Sequence, residues 1–213
     1  MIYKIENIYG VNVSYTDETH GGGIPIYPDF ITILKDRYPN KIFNNCLEWC
    51  AGPGFIGFAI LSKNICRHLT LIDLYQPAVD AVSFTISNNE LTDKVSVYLS
   101  NNFDSVPLNK FDLIVANPPH YNTDVYAKHL SHWEHTGKRI YQDINWNTHR
   151  NFFKAAKDYI TDDGKILLIE NIRGSSEETF KDIIDENGLE ITGHFFSPTM
   201  KENYWYLEVS NRT

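Results

Sequence analysis

The chain has 213 residues, a net charge of −8 at pH 7 and a sequence pI of about 5.4. Its 42% apolar and 22% charged residues are typical of a globular protein with one domain-sized core. The acidic balance argues against binding to duplex nucleic acid, which needs a basic surface stripe. No apolar run reaches membrane-spanning length and no signal peptide is recognised, so we expect a cytoplasmic protein without membrane contacts.

Residues 1–40 are predicted to form an irregular N-terminal cap or lid. The run from Thr19 to Gly23 contains three consecutive glycines, which predict a flexible hinge. Tyr27-Pro28-Asp29 then opens an amphipathic helix that ends near Asn40.

From residue 41 to residue 213, strands and helices alternate in one predicted domain. Short apolar runs predict strands over residues 45–49, 68–73, 95–99, 111–116 and 165–170. Helices are predicted over residues 54–62, 77–90, 148–160 and 175–186, and a turn over residues 162–164. Two final β-rich runs, 189–196 and 204–209, have no helix between them and should pair antiparallel. The pattern predicts an α/β fold with a mostly parallel, seven-stranded sheet and a C-terminal antiparallel hairpin.

The loop after the first strand of this sheet has the spacing G-x-G-x-x-G at Gly52, Gly54 and Gly57. Glycines there let a ligand approach the backbone closely. Asp73 ends the next strand, where a carboxylate can accept both ribose hydroxyls of a nucleotide. A tight structural turn in the loop and a helix N-cap at Asp73 are the alternative interpretations. These residues alone would suit a nicotinamide enzyme or a protein with any adenosine-containing cofactor.

The fourth strand of the sheet runs directly into Asn117-Pro118-Pro119-His120. Neither proline donates a backbone hydrogen bond and both have a nearly fixed φ, so the strand ends in a stiff, extended corner. Ligands of open α/β sheets bind beyond the carboxyl ends of the strands. We therefore expect Asn117 and the carbonyls beside it to face a ligand. A nicotinamide dehydrogenase has no need for such a corner.

With these motifs the chain resembles the class I S-adenosylmethionine-dependent methyltransferases, above all their Asn-Pro-Pro-aromatic branch, which includes the N5-glutamine methyltransferases. The resemblance implies a Rossmann-like fold and S-adenosylmethionine as cofactor. The cofactor-binding residues that it implies are Glu48, Cys50, Ala51, Gly52, Gly54, Asp73, Leu74, Asn101, Asn102, Phe103 and Asn117. Cys50 stands where the family usually has its first glycine. Asn101 or Asn102 stands where it usually has an acid at the adenine amine, and an amide carbonyl can accept the same hydrogen bond.

The resemblance also implies the catalytic residues Asn117, Pro118, His120 and Tyr121. The Asn117 side chain and the Pro118 carbonyl would accept the N–H bonds of an acceptor nitrogen and direct its lone pair toward the methyl group. The family usually has Tyr or Phe where this chain has His120. That histidine either stacks on the substrate or handles a proton. Alternatively, His120 lies at the surface and Tyr121 does the stacking.

Residues 121–147 follow the corner as a long polar segment, which predicts a substrate-facing lid. Its histidines, His129, His132 and His135, would not share one helix face, and no metal site is predicted. Trp146 packs over the substrate or covers the sheet edge. At the other end of the chain, the glycines before residue 24 and Tyr27-Pro28-Asp29 resemble the segment that folds over the cofactor in related enzymes, with a plain linker as the alternative.

The predicted function is S-adenosylmethionine-dependent methylation of nitrogen, or oxygen, in a small molecule or a protein glutamine. Two other functions remain open. One is a cyclase or lyase that acts on the aminocarboxypropyl arm of the same cofactor, and the other is a non-catalytic subunit that binds an adenosine ligand. The sequence leaves open the acceptor and the oligomeric state.

Overall fold

The computed structural model describes residues 2–20, 23–122 and 141–212. Two predictions fall partly or wholly outside these residues, namely the glycine hinge and the histidine-rich part of the lid with His129, His132 and His135. The strands of the described residues are β1 (Lys4–Ile8), β2 (Val11–Tyr15), β3 (Phe43–Trp49), β4 (Cys66–Asp73), β5 (Val95–Leu99), β6 (Phe111–Ala116), β7 (Ile160–Asn171), β8 (Leu189–Phe196) and β9 (Tyr204–Asn211). The helices are α1 (Tyr27–Arg37), α2 (Phe55–Ser62), α3 (Gln76–Asn88), α4 (Asn147–Tyr159) and α5 (Glu177–Glu186), with a 3₁₀ turn at Ile144–Trp146 before α4.

Seven strands form one sheet in the order β5–β4–β3–β6–β7–β9–β8. The first five are parallel, and β9 pairs antiparallel with both β7 and β8. This confirms the predicted α/β sheet and its C-terminal hairpin. From β3 the chain adds β4 and β5 on one side, and then crosses back to place β6 on the other side of β3. The β3–β6 boundary is therefore the topological switch point, where such sheets bind ligands.

Helices cover both faces of the sheet, so its central strands are apolar on both sides. Alternate residues of β3 face opposite layers. Cys46 packs with the layer of α1, α2 and α3, whereas Leu47 packs with the layer of α4 and α5. Trp49 at the end of β3 stacks on Phe152 of α4 with ring centroids 3.9 Å apart. This stacking fixes the carboxyl end of β3 against the second layer.

The N-terminal segment is a β-hairpin, which corrects the expectation of an irregular cap. β1 and β2 pair antiparallel around a two-residue turn, Tyr9-Gly10, in which both residues have positive φ, as a tight hairpin turn requires. Ile8 and Val13 are fully buried in the first layer. The turn was missed because tyrosine rarely takes the left-handed conformation. Helix α1 begins at Tyr27, as predicted.

The predicted turn at residues 162–164 is an irregularity inside β7. Phe111 is opposite Ile160 and Leu113 is opposite Lys165, so four residues of β7 bulge against one of β6. Cys46, Cys50 and Cys66 form no disulfide. Among the described residues, no helix has the length and apolar character needed to cross a bilayer.

Candidate active site at the carboxyl edge of the sheet

A cavity of about 940 Å³ opens at the carboxyl ends of β3, β4 and β6. Its volume lies near the upper end of the range of small-molecule sites. All but three of the predicted site residues line it: Glu48, Cys50, Ala51, Gly52, Asp73, Leu74, Asn101, Asn102, Asn117, Pro118 and His120. A smaller cavity of about 260 Å³ at the amino ends of the strands contains none of them. The sheet topology thus brings the two predicted motifs together.

The glycine loop owes its shape to backbone conformations that side chains disfavour. Cys50, Gly52 and Gly54 all have positive φ, at 52°, 51° and 84°. A Cβ on Gly52 would lie 3.2 Å from the carbonyl oxygen of Thr19, so the loop passes close under the N-terminal segment. Cys50 takes the conformation that glycine adopts without strain. A cysteine where the family usually has glycine is thus held in the left-handed backbone conformation.

Glu48 connects strand β3 to the start of helix α2. Its Oε2 atom accepts a hydrogen bond from the backbone N–H of Gly57 across 2.7 Å. Burial raises the pKa of Glu48 to about 8, although hydrogen bonds from the backbone of Gly57 and Ile56 oppose the shift. The carboxyl group is therefore largely protonated at neutral pH. A Cβ on Gly57 would lie only 2.7 Å from Glu48 Oε2 and 2.9 Å from Leu69, so this glycine permits the contact.

Asp73 connects strand β4 to both the glycine loop and helix α3. Its Oδ2 accepts a hydrogen bond from the N–H of Gly52 at 2.7 Å, and its Oδ1 accepts one from Tyr75 at 2.8 Å. Burial raises the pKa of Asp73, and the backbone hydrogen bonds oppose it. The bond to Tyr75, directly before α3, agrees with the capping interpretation. Each carboxylate oxygen retains a further lone pair, so capping does not prevent a ligand role.

Asn102 supplies an acceptor that has no partner among the described residues. The residue is 7% exposed and lines the cavity. Its Oδ1 atom is buried and accepts no hydrogen bond there. Buried polar atoms are rarely left unsatisfied, so this oxygen fits a ligand N–H such as the adenine amine. The site therefore passes a structural test for an adenosine cofactor.

Three predicted residues do not line the cavity. Phe103 points into the core, where its ring stacks on Tyr159 with centroids 4.3 Å apart. Gly54 shapes the loop, and a Cβ there would lie 2.9 Å from the ring of Phe58. Tyr121 pairs through its backbone with Tyr141 and Asp143.

His120, in contrast, is only 7% exposed and forms part of the cavity wall. The histidine, rather than the following tyrosine, is thus the ring at the end of the proline corner. The interpretation of His120 as a surface residue does not hold.

Both segments predicted as lids contribute residues to the cavity wall, and closure over a ligand stays a prediction. Tyr141 and Gln142, at the end of the segment after the corner, line the cavity, and Gln142 pairs with Tyr121. Trp146 instead packs against Phe180 in the core. Asp29 is fully buried and accepts hydrogen bonds from Ser197 and Thr199, so it ties α1 to the turn between β8 and β9.

The N-terminal residues that reach the cavity lie before α1. They are Glu18, Thr19, His20 and Gly23. Burial lowers the pKa of His20, whose ring lies 5.5 Å from that of Tyr15.

Sequence reasoning missed a buried chain of ionisable side chains behind the proline corner. His149 of α4 lies between two carboxylates, with Nδ1 2.6 Å from Asp143 Oδ2 and Nε2 3.0 Å from Glu170 Oε1. The other oxygen of Glu170 lies 3.5 Å from Nδ1 of His120. Asp143 also caps α4 through the N–H groups of Thr148 and His149. The available signal was a glutamate directly after the apolar run of residues 166–169 in β7, the strand beside β6.

The charges of the buried side chains Asp143, His149 and Glu170 follow from their contacts with one another. Burial lowers the pKa of His149, but hydrogen bonds to Asp143 and Glu170 outweigh it and raise the pKa to about 9. Burial raises the pKa of each carboxyl, but the neighbouring histidines outweigh it and the pKa of both lies below the usual value. At neutral pH this buried cluster therefore contains two carboxylates, Asp143 and Glu170, and one imidazolium, His149.

Comparison with known proteins agrees with this geometry. Residues 31–133 match the family model of the methyltransferase small domain. The chain is 29% identical over 126 residues to ribosomal protein uL3 glutamine methyltransferase of Francisella tularensis, covering 58% of this chain and 40% of that protein. It is 28% identical over 137 residues to ribosomal RNA small subunit methyltransferase C of Buchnera aphidicola, covering 64% and 34%. The chain thus spans less than half the length of these relatives.

A solved structure shows the same fold. The S-adenosylmethionine-dependent methyltransferase from Clostridium acetobutylicum matches with a TM-score of 0.62 at 12% identity, covering 88% of this chain and 91% of that one. The names of the curated relatives include protein and RNA acceptors, so the exclusion of nucleic acid stays a prediction. The matched family model, the curated relatives and the fold are those of class I S-adenosylmethionine-dependent methyltransferases, and this likeness implies S-adenosylmethionine as the cofactor.

Proposed function

We propose that the chain transfers the methyl group of S-adenosylmethionine to nitrogen, or oxygen, of a small molecule or a protein glutamine. The observation that carries this proposal is the single cavity shared by the glycine loop, Asp73 and Asn117-Pro118. A cofactor site and a rigid acceptor corner in one enclosed space are what an in-line displacement requires.

Three parts of the cavity wall suit the cofactor. Asp73 would accept the ribose hydroxyls, and Oδ1 of Asn102 would accept an N–H of the adenine amine. Gly52 lines the cavity without a side chain, so its backbone can approach the ligand closely. When bound, the cofactor supplies an electrophilic methyl group on a positively charged sulfur.

The proline corner would bind the acceptor. Pro118 is buried and Asn117 is half-buried at the end of β6. Solvent therefore has little access to either residue. The Asn117 amide oxygen and the Pro118 carbonyl would accept the N–H bonds of the acceptor. They would stabilise the positive charge that develops there.

The charge of the cavity restricts the acceptor further. Among the described residues that line it, carboxylates occur at Glu18 and Asp73, Glu48 is largely protonated at neutral pH, and lysine and arginine are absent. A wall of this kind attracts cationic groups, admits neutral ones and repels phosphate and carboxylate. An amine, an amide or a hydroxyl is thus favoured over an anionic acceptor.

The test is to incubate the purified protein with S-adenosylmethionine that carries a deuterated methyl group. Separate reactions contain a small-molecule extract, glutamine-containing peptides or ribosomal RNA, and products are identified by mass spectrometry. S-adenosylhomocysteine together with a labelled small molecule or peptide supports the proposal, whereas labelled RNA rejects the acceptor class. Methylthioadenosine would instead indicate attack on the aminocarboxypropyl arm. Calorimetric binding without any product would indicate a non-catalytic subunit.

A further inference from the structure

We propose that His120 takes the proton that the acceptor loses on methylation, and that the buried chain Glu170–His149–Asp143 positions His120 for this step. The inference rests on the proposed methyl transfer. It assigns His120 as a catalytic residue that touches the acceptor, and the other three as positioning residues. It also narrows the acceptor to a group that loses a proton in the course of the reaction, which is a protonated amine or a hydroxyl.

The orientation of the His120 ring carries the first step of the argument. Its Nδ1 atom is buried and lies 3.5 Å from Oε2 of Glu170, an ion-pair contact whose geometry falls short of a hydrogen bond. The two ring nitrogens are on opposite sides of an imidazole, so the ring presents Nε2 away from Glu170. Because His120 also lines the cavity, Nε2 is the nitrogen available to an acceptor. With the proton on Nδ1, the neutral ring has its lone pair on Nε2, as a general base requires.

Neighbouring residues restrict the orientation of His120. A Cβ on Gly174 would overlap the carbonyl oxygen of His120, so the loop after β7 packs directly against the corner. The hydroxyl of Ser175 in the same loop donates to Oε2 of Glu170 at 3.1 Å. The ring of Tyr204 on β9 lies 5.7 Å from the His120 ring. His120 therefore has little freedom to turn away from Glu170.

The far end of the chain is held as firmly. The His149 ring stacks on Phe180 with centroids 4.7 Å apart, and the edges of Trp49 and Trp146 meet it at 5.4 Å. The side chains of Asp143, His149 and Glu170 are at most 1% exposed. Buried charges of this kind contribute little net stability compared with apolar residues of similar size. A role beyond stability would explain why the second layer contains them.

The cluster behind His120 has a net negative charge. Asp143 and Glu170 contribute two negative charges and His149 one positive charge, which leaves −1. The cluster becomes neutral when the His120 ring takes up a proton. The other titratable side chains that face the His120 ring are Tyr121 and Tyr204, whose ring centroids lie 6.3 Å and 5.7 Å from it.

The proton transfer balances without another reactant. The acceptor lone pair forms the bond to the methyl carbon, the bond from that carbon to sulfur breaks, and its electrons remain on sulfur. The acceptor proton passes to Nε2 of His120, and Glu170 stabilises the imidazolium, as a carboxylate does beside a catalytic histidine. The proton then leaves to solvent. A planar amide becomes strongly acidic once methylated and has less need of a base, which is why an amine or a hydroxyl is favoured.

The test uses the ring nitrogens of the histidines, observed by NMR in the purified protein over a pH series, with His120 assigned from the spectrum of His120→Gln. Glu170→Gln keeps the shape of the side chain and removes its charge. We expect neutral His120 to have its proton on Nδ1 in wild type and this tautomer to be less populated in Glu170→Gln, because the carboxylate that favours a proton on the nearer ring nitrogen is lost. The control is Glu177→Gln, which alters an exposed pair with His194 at 3.0 Å and should leave the His120 tautomer unchanged. Equal tautomer populations in wild type and Glu170→Gln would overturn the inference.

Two further measurements separate possible failures. If Glu170→Gln does not fold, the wild-type spectrum decides, since we expect neutral His120 to have its proton on Nδ1 and the opposite tautomer overturns the inference. Once an acceptor is identified, kcat is measured against pH for wild type and Glu170→Gln. A lower midpoint of the acidic limb in the variant supports the inference, whereas coinciding profiles refute it and leave methyl transfer intact. Absence of any methyl transfer by wild type would reject both proposals.

Discussion

Gly52 and Asp73 are joined by a hydrogen bond in which the backbone N–H of Gly52 donates to Oδ2 of Asp73 across 2.7 Å. The bond connects the glycine loop after β3 to the end of β4, so the two halves of the cofactor motif are assembled before a ligand arrives. The second oxygen of Asp73 is held by the N–H of Tyr75 at 2.8 Å. A carboxylate fixed at both oxygens loses little conformational freedom when it binds a ribose.

Asp73→Asn should weaken binding of S-adenosylmethionine by about 10- to 100-fold in calorimetry, because hydrogen bonds to a charged group contribute about 1.5–3 kcal/mol. The matched control is Asp112→Asn. Asp112 on β6 also accepts a hydrogen bond from a backbone N–H, that of Asn44 at 2.6 Å, but it lies at the opposite end of the sheet. This control should bind the cofactor like wild type. Equal affinity in both variants would exclude Asp73 as the ribose ligand.

Gly57→Ala should destabilise the fold even though Gly57 lies inside helix α2. Replacing glycine by alanine in a helix usually adds about 1 kcal/mol of stability. Here the new Cβ would lie 2.7 Å from Oε2 of Glu48 and 2.9 Å from Leu69, both in the core. We expect the free energy of unfolding in urea to fall by about 1–3 kcal/mol, as in other overpacked cores.

The control for Gly57→Ala is Ser87→Ala at an exposed position of helix α3. It should leave stability unchanged or raise it by about 0.5 kcal/mol. An increase in stability for Gly57→Ala of the same size as in this control would show that the helix and the strand can separate to admit a methyl group.

The parts of the fold that were predictable from sequence are those set by local patterns. β6 was placed at its observed bounds, because an uninterrupted apolar run is ended by prolines that cannot continue the strand. Asp73 and Gly52 were paired by a spacing that such folds share. The first hairpin was missed because its turn puts Tyr9 in a conformation that sequence rules assign to glycine.

The buried chain behind the corner was not predictable for a different reason. Strand order places Glu170 of β7 beside the end of β6, but side-chain direction depends on packing that no local pattern records. His149 looked like an ordinary residue of an amphipathic helix, and its contacts to Asp143 and Glu170 form only when α4 lies on the sheet. The prediction for Phe103 was wrong for a related reason. The family pattern placed this residue at the cofactor, but its ring packs in the core.

Asn117→Ala should separate catalysis from cofactor binding. The variant loses an acceptor aimed at the nucleophile, so we expect kcat to fall by about 100-fold, the usual effect of losing one preorganised polar group. Asn102→Ala should show the opposite pattern, with weaker cofactor binding and nearly normal turnover at saturating S-adenosylmethionine. Steady-state kinetics with the identified acceptor, together with calorimetry, measures both effects. If the two variants lose the same parameter, the assignment of separate roles is wrong.

Glu48→Gln should flatten the dependence of stability on pH. The folded protein raises the pKa of Glu48 from 4.5 to about 8, so the folded state holds this proton more tightly than the unfolded chain does. The resulting stability is fully present below pH 4.5 and is lost as the pH rises toward 8. The loss is on the order of 4 kcal/mol by linkage. Glutamine stays neutral and avoids it.

The measurement for Glu48→Gln is the free energy of urea unfolding at pH 5 and pH 8. His149 also loses stability as the pH rises toward its raised pKa of about 9, but it is present in both proteins and cancels in their difference. Wild type should therefore lose more stability than Glu48→Gln between the two pH values, while the curve of Ser87→Ala should run parallel to that of wild type. Parallel curves for Glu48→Gln would mean that the carboxyl is already ionised at neutral pH, and that the buried N–H of Gly57 binds a carboxylate.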